Sequence, residues 1–249
     1  MKLNRAYQYA MHIQQSYAYI LQAMSRFFVR LPAAVQFLIG WIIATPFCAY
    51  CKQYTYTQQI FCDTCRLLIR PIVSVDLQVT ATKHIKVLAI ADYQEPLKSL
   101  ILSKGHSNIA ACRQLAELMW HNTYVQNVAF DIIVPIPLHW LRYAKRGYNQ
   151  AHEMTKIIGA KSNKEVVNLL RRHRKTVFQS LLTHDKRADN VKQAFSLRIT
   201  HNQMKYYAGK HLLLVDDLMT TGATLRNAVK VLLPLRPASI TAVVTCRVV

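Results

Sequence analysis

The run His211-Leu212-Leu213-Leu214-Val215-Asp216-Asp217-Leu218-Met219-Thr220-Thr221-Gly222-Ala223-Thr224 constrains this chain more than any other stretch. Leu212 to Val215 form a short apolar block of the kind that fills a strand buried on both faces. Asp216 and Asp217 follow at its carboxyl end, the edge where open α/β sheets bind ligands. Thr220, Thr221, Gly222, Ala223 and Thr224 then bring hydroxyls and a pliable backbone to the expected start of a helix. First-turn amides and the positive end of the helix dipole make such a start an anion site, well suited to phosphate. Carboxylates one turn away from a phosphate cradle suit a sugar phosphate, because they accept from ribose hydroxyls while the cradle holds the 5′-phosphate.

Charge narrows the class of partner. Thirty-two Lys and Arg against twelve Asp and Glu leave a formal net charge of +20 across 249 residues. That excess exceeds what solubility needs and favours polyanions: nucleic acid, phosphorylated ligands or an anionic membrane surface. Four of the six cysteines fall into Cys48-x2-Cys51-x10-Cys62-x2-Cys65, two knuckles able to close a tetrahedral thiolate site around Zn²⁺. Cys112 and Cys246 lie among apolar neighbours and read as core residues.

Along the chain, residues 1–40 read as a helical extension, with Tyr7, Met11, Ile13, Tyr17, Ile20 and Leu21 in a loose helical stripe. Residues 31–50 are strongly apolar, but Pro32, Gln36 and Pro46 interrupt them. They suit a docked or amphipathic helix, able to touch a membrane surface, better than a span. The cysteine segment follows over 41–75, and an α/β domain is expected over 76–249. Within it, Val73, Val75, Leu77 and Val79 alternate as in a strand. Ile109, Cys112, Leu115, Ala116 and Met119 share a helical face, and Val128 to Val134 form a buried strand. Leu225, Ala228, Val229, Leu232 and Leu233 keep helical spacing until Pro234, and Ile240 to Val248 close the chain as a strand. Strands alternating with helices imply a mostly parallel sheet.

Two further constellations carry chemistry. Pro135-Ile136-Pro137 makes a stiff turn at a strand's carboxyl end, and Arg142, Lys145 and Arg146-Gly147-Tyr148-Asn149-Gln150 follow. Exposed amides and cations there suit a pyrophosphate, with Pro135, Ile136, Pro137 and Arg146 as its expected contacts. Residues 161–192 then hold nine basic and three acidic side chains, among them Arg171, Arg172, Arg174 and Lys175. Such a segment can close over a phosphate site as a lid or track a nucleic-acid backbone. Arg142, Lys145, Tyr148, Arg171, Arg172, Arg174 and Lys175 are the expected nucleic-acid contacts, with Tyr143, Tyr148 and Phe178 interleaved as stacking surfaces.

The acid pair and cradle resemble the phosphoribosyl pyrophosphate (PRPP) signature of the type I phosphoribosyltransferase fold. The cysteine knuckles, Arg146-Gly-Tyr-Asn-Gln150, the Arg-x-Arg-x-Thr-x-x-Gln pattern from Arg172 to Gln179, Asn190 and Ala194-Phe195 extend the likeness: from about residue 40 onward the chain resembles the ComF competence-protein family. The resemblance implies a zinc-bearing amino-terminal part on a phosphoribosyltransferase-type domain, with PRPP and Mg²⁺ at Asp216 and Asp217. It also implies work on single-stranded DNA at the cytoplasmic side during natural transformation, beside other competence or DNA-processing proteins. Residues 1–35 exceed the family's usual lead, and Lys104-Gly105 stands where the family carries a Lys-aromatic-x-Gly element. Three activities stay open on these grounds: a DNA-uptake factor with a PRPP-type site, a working phosphoribosyltransferase with an unknown acceptor, and a PRPP-sensing scaffold without turnover.

Overall fold

The computed structural model describes residues 47–55, 59–72, 74–103, 108–173 and 194–248. The expected amino-terminal extension over 1–40, Lys104-Gly105, and Arg174, Lys175 and the rest of the basic segment through residue 192 lie outside the described residues. The chain divides into two compact units, Met1–Cys48 with Lys52–Gln59, and Ala49–Cys51 with Ile60–Val249. The described part of the first holds a bridge between Phe47 and Tyr54, whose rings meet edge to face at 6.2 Å.

The second unit is built on a six-stranded sheet. Its strands are β1 (Val75–Gln78), β2 (His84–Asp92), β3 (Ile132–Pro135), β4 (Glu165–Val166), β7 (His211–Met219) and β8 (Ser239–Arg247), ordered β1-β2-β8-β7-β3-β4. Only the β1–β2 pair is antiparallel. The remaining two strands, β5 (Leu170–Arg172) and β6 (Phe195–Leu197), make a small antiparallel pair of their own. The expectation of a mostly parallel sheet flanked by helices therefore holds. The central strands are buried on both faces, which is why β7 and β8 read as near-continuous apolar runs rather than alternating ones.

Helices supply the two covers. In chain order they are α1 (Asp63–Leu67), α2 (Leu97–Ser103), α3 (Ile109–Asn122), α4 (Trp140–Arg146), α5 (Gln150–Ser162), α6 (His201–Met204) and α7 (Ala223–Leu232). Leu225, Ala228, Val229 and Leu232 of α7 pack in one cluster with Leu212 and Leu214 of β7 and with Ala242 and Val244 of β8. The apolar faces of α3 and α5 pack on each other and cover the opposite side of the sheet, burying Leu115, Met119, Met154 and Ile158. Both start on asparagine caps: Asn108 accepts from the Ala111 amide and Asn149 from the Ala151 amide, each at 3.1 Å.

Two boundaries differ from the sequence reading. The strand expected from Val128 begins only at Ile132, because Tyr124–Asn127 coil into a short 3-10 turn and the ladder with β7 opens at Ile132, opposite Leu212. The strand expected to end at Val215 continues to Met219, because β8 offers a ladder of equal length, pairing Asp216 with Val244 and Met219 with Arg247.

Candidate functional site

β3 and β7 are neighbours, but their connections leave in opposite directions. The chain after β3 returns through α4 and α5 to β4 on one side, and the chain after β7 returns through α7 to β8 on the other. A reversal of this kind opens a crevice at the carboxyl ends of the two strands, where such sheets take ligands. The register locates it. Pro135 pairs with Val215, and the Ile136 amide donates to the Val215 carbonyl at 2.9 Å. From Asp216 onward, β7 is paired with β8 alone among the described strands. Asp216 and Asp217, both partly exposed, thus occupy the lip of the crevice. The Asp216 carboxylate accepts the Asp217 amide at 2.8 Å, which fixes the side chain relative to its own backbone.

The cradle adjoins the strand without an intervening residue. Thr220 and Thr221 are exposed, and Gly222 caps α7 with φ +72°. That left-handed conformation suits glycine, and the space agrees: a β-carbon here would lie 2.5 Å from Leu77 Cδ1 of β1. The Thr221 hydroxyl accepts the Ala223 amide at 3.4 Å, and Arg226 Nε donates to the Gln78 carbonyl at 2.9 Å. The start of α7 is therefore clamped to β1, with first-turn amides that lack intrahelical partners facing the loop.

The expected pyrophosphate turn needs a correction. Pro135 and Pro137 have no N–H, and the Ile136 amide is committed to Val215. These three residues offer no backbone donor to an anion, so whatever they contribute is shape. The motif Arg146-Gly147-Tyr148-Asn149-Gln150 has a clear local task. Gly147, at φ +78°, ends α4 in the left-handed region. Asn149 starts α5 and also donates from Nδ2 to the Ile136 carbonyl at 3.0 Å, tying that helix to the end of β3.

Tyr148 is also corrected. It is only 7% exposed, and its hydroxyl accepts from the Cys112 thiol at 3.9 Å. Burial, reinforced by Cys112, pushes its phenol up to about 12. A ring held this way is a core aromatic, not a surface on which a base stacks. Tyr143, by contrast, is exposed.

The structure brings some of the expected cations to the acid pair. Arg172, on β5, lies over the Phe195 ring at 5.3 Å. Burial lowers its pKa, the neighbouring Arg142 charge lowers it further, and the Asp216 carboxylate opposes both. Arg142, Arg172 and Asp216 therefore share one electrostatic neighbourhood, although they come from three separate elements. Arg171, adjacent in β5, is exposed; Arg146 ends α4 half-buried, and Lys145 falls within the same helix.

Sequence reasoning missed Tyr93, at the carboxyl end of β2. Its phenol is raised by burial and by Cys246, Glu95 and Asp217, so it feels the charge of the second site acid. It also missed the ion pair between Asp92 and Arg247 at 2.7 Å on the same sheet edge. The detectable signal was a long apolar strand ending in Asp-Tyr, at the edge already marked by Asp216.

The cysteine quartet converges. One sulfur from each of Cys48, Cys51, Cys62 and Cys65 lies within 4.8 Å of the others, and Cys51 and Cys62 are 3.7 Å apart. A zinc–sulfur bond of about 2.3 Å in tetrahedral geometry requires sulfurs roughly 3.8 Å apart, so the four thiols fit such an ion. Among the described residues, no helix is long and apolar enough to cross a membrane.

Sheet, crevice and cradle define a phosphoribosyltransferase-like domain of type I architecture, and the sequence comparisons agree. Residues 144–248 match the phosphoribosyl transferase domain family. Competence protein F of Haemophilus influenzae is 32% identical over 155 residues, which cover 59% of this chain and 66%, just under two thirds, of that protein. The DNA utilization protein YhgH of Escherichia coli K12 is 27% identical over 215 residues, covering 80% of this chain and 89% of that protein. Adenine phosphoribosyltransferase from Thermoanaerobacter pseudethanolicus superposes with a TM-score of 0.36 at 14% identity, over 74% of this chain and 98% of that one, a likeness too slight to carry an argument. The competence and DNA utilization relatives, together with the matched domain, support a ComF-family, phosphoribosyltransferase-like protein.

Proposed function

We propose that this protein serves DNA utilisation in natural competence, and that its sheet crevice holds a PRPP-type ligand. The observation that carries the ligand reading is the meeting, at one switch point, of the Asp216–Asp217 pair, the clamped start of α7 and the cationic pair Arg142 and Arg172. In this reading Asp216 and Asp217 accept from the ribose hydroxyls and orient the sugar. Thr220, Thr221, Gly222, Ala223 and Thr224 hold the 5′-phosphate. Pro135, Ile136 and Pro137 shape the floor for the pyrophosphate, and its charge falls to Arg146 and the neighbouring arginines. Mg²⁺ fits a site built of paired carboxylates and ligand phosphates, where it would neutralise the pyrophosphate.

The surrounding positive charge, +20 for the whole chain, supports binding of single-stranded DNA, and the competence and DNA utilization names of its relatives agree. Other competence or DNA-processing proteins are the expected partners. The cytoplasm is the expected compartment, with residues 1–40 as the candidate for peripheral membrane contact. Zn²⁺ on Cys48, Cys51, Cys62 and Cys65 is structural: four thiolates fill its coordination and leave no open position for chemistry. Cys62→Ser should release one equivalent of zinc and loosen the segment, and unchanged metal content in that variant refutes the assignment.

The experiment is calorimetric titration of Mg·PRPP into the native protein and into an Asp216→Ala/Asp217→Ala variant. Binding that disappears in the variant establishes the site. Absence of binding to folded native protein refutes the ligand reading. Pyrophosphate release on adding nucleobases or amines marks a transferase; binding without release marks a ligand-sensing module.

A further inference from the structure

The helix immediately beyond β3 has an unusual surface. α4 runs Trp-Leu-Arg-Tyr-Ala-Lys-Arg, and in it Trp140 is 64% exposed and Tyr143 53% exposed, with Leu141 also open to solvent. Residues three apart share a helix face, so the two rings stand on one side. An aromatic of this size in a core would remove ~150–250 Å² from water, and apolar surface left contiguous and exposed marks an interaction site. The helix is well held for presenting them. The buried His139 caps it by accepting the Leu141 amide on Nδ1 at 3.3 Å, and the imidazole supports the indole at 5.8 Å between centroids. At the other end Gly147 stops it, and the next residue, Tyr148, is anchored in the core.

Charge selects the partner. Between Asp131 and Glu153 there is no acidic residue, and Arg142 lies between the two rings in sequence. Flat π surfaces interleaved with guanidinium groups match a strand whose bases are free to stack and whose phosphates need neutralising. A duplex keeps its bases stacked on one another and gives these rings nothing to hold.

We propose that the exposed face of α4 is a base-stacking platform for single-stranded nucleic acid, with Trp140 and Tyr143 receiving bases and Arg142 meeting the backbone between them. This rests on the DNA-binding half of the proposed function and gives it a location: the rim of the crevice, where Arg142 shares the electrostatic neighbourhood of Arg172 and Asp216. Tyr148, one of the three aromatics expected to stack, is buried, and Trp140 takes its place.

The test is fluorescence anisotropy of a labelled thymidine oligonucleotide with the full-length, zinc-loaded protein across a salt series. Trp140→Ala and Tyr143→Ala should each weaken binding about tenfold, and leave the salt slope unchanged, because stacking releases no counterions. Trp140→Phe should recover most of the loss. Arg142→Ala should reduce the salt slope by about 0.7. An abasic strand of the same length should bind the native protein as weakly as the normal strand binds the Trp140→Ala/Tyr143→Ala pair. Native-like affinity in both alanine variants, while the native protein binds the strand in a salt-dependent way, overturns the platform and leaves DNA binding in place elsewhere. No salt-dependent binding by the native protein overturns both the platform and the DNA half of the function, and the PRPP titration still stands or falls separately. Loss of binding to anionic phospholipid vesicles in Trp140→Ala, with the strand still bound natively, also overturns the platform and makes α4 a membrane contact.

Discussion

The two edges of the six-stranded sheet are built on opposite plans. At the amino-terminal edge of β3, β7 and β8, polar groups are spent on one another. Asp131 Oδ2 accepts the His211 amide at 2.8 Å, the Asp131 amide donates to the His211 carbonyl at 2.8 Å, and His211 Nδ1 shares a 2.7 Å hydrogen bond with the Ser239 hydroxyl. The carboxyl-terminal edge keeps one such pair, Asp92 with Arg247, but otherwise gathers charge: Asp216 and Asp217 adjacent on one strand, Arg142 near Arg172, and two exposed threonines before a glycine cap. An edge that neutralises itself holds strands in register. An edge that concentrates like charges gives up some stability for a place where ligand charge is welcome.

The largest effect that sharpens this contrast comes from the acid pair. Asp216→Ala/Asp217→Ala should lower affinity for Mg·PRPP by a hundredfold or more, from about 1.5–3 kcal/mol per charge-assisted hydrogen bond lost. It should move the melting temperature little, because relief of repulsion between two adjacent like charges offsets the loss of the Asp216 charge beside Arg172. A clear fall in melting temperature breaks the division between edges. Gly222→Ala comes next. The left-handed backbone costs ~1–2 kcal/mol for a residue with a β-carbon, and crowding of the buried Leu77 adds ~1–3 kcal/mol. Thermal unfolding should show the loss, and PRPP affinity should fall with it because the same contact shapes the cradle.

Asp131→Ala should act on stability alone and by less, with PRPP affinity intact. The His211 amide holds the Asp131 carboxyl below the ordinary 3.8. The stability linked to that shift is present above the ordinary carboxylate range and is lost as pH falls through the depressed value. Unfolding curves of native protein and variant should therefore differ at neutral pH and converge in acid. The smallest effect is Tyr148→Phe. A phenol raised to about 12 favours the folded state fully below its ordinary 10.0, and that contribution disappears as pH rises from 10.0 through about 12. The variant should match the native protein at neutral pH and lose less stability over that alkaline interval. Equal alkaline slopes would place Tyr148 outside the core.

Elements whose signal is local were readable in advance. The apolar block before Asp216, the glycine cap before α7 and the spacing of Leu225, Ala228, Val229 and Leu232 identify a strand, a turn and a helix within one window of sequence. The cysteine quartet was readable because metal spacing is local as well. Pairing between distant segments was not. Nothing near Ile136 says that its amide belongs to Val215, and nothing near Tyr148 says that Cys112 will cover it. Both corrections come from contacts formed across many tens of residues, which periodicity does not encode. Trp140 escaped notice for the converse reason: a tryptophan beside an apolar strand reads as core until the fold leaves it outside.

The clamp between β1 and the start of α7 separates the tuning of the phosphate cradle from its sequence. Leu77 and Gln78, which bear on Gly222 and Arg226, lie in a hairpin that precedes the cradle by most of the domain. A change in the β1–β2 hairpin can therefore act as a remote dial on ligand affinity, tightening or slackening the cradle while every residue that touches phosphate stays as it is.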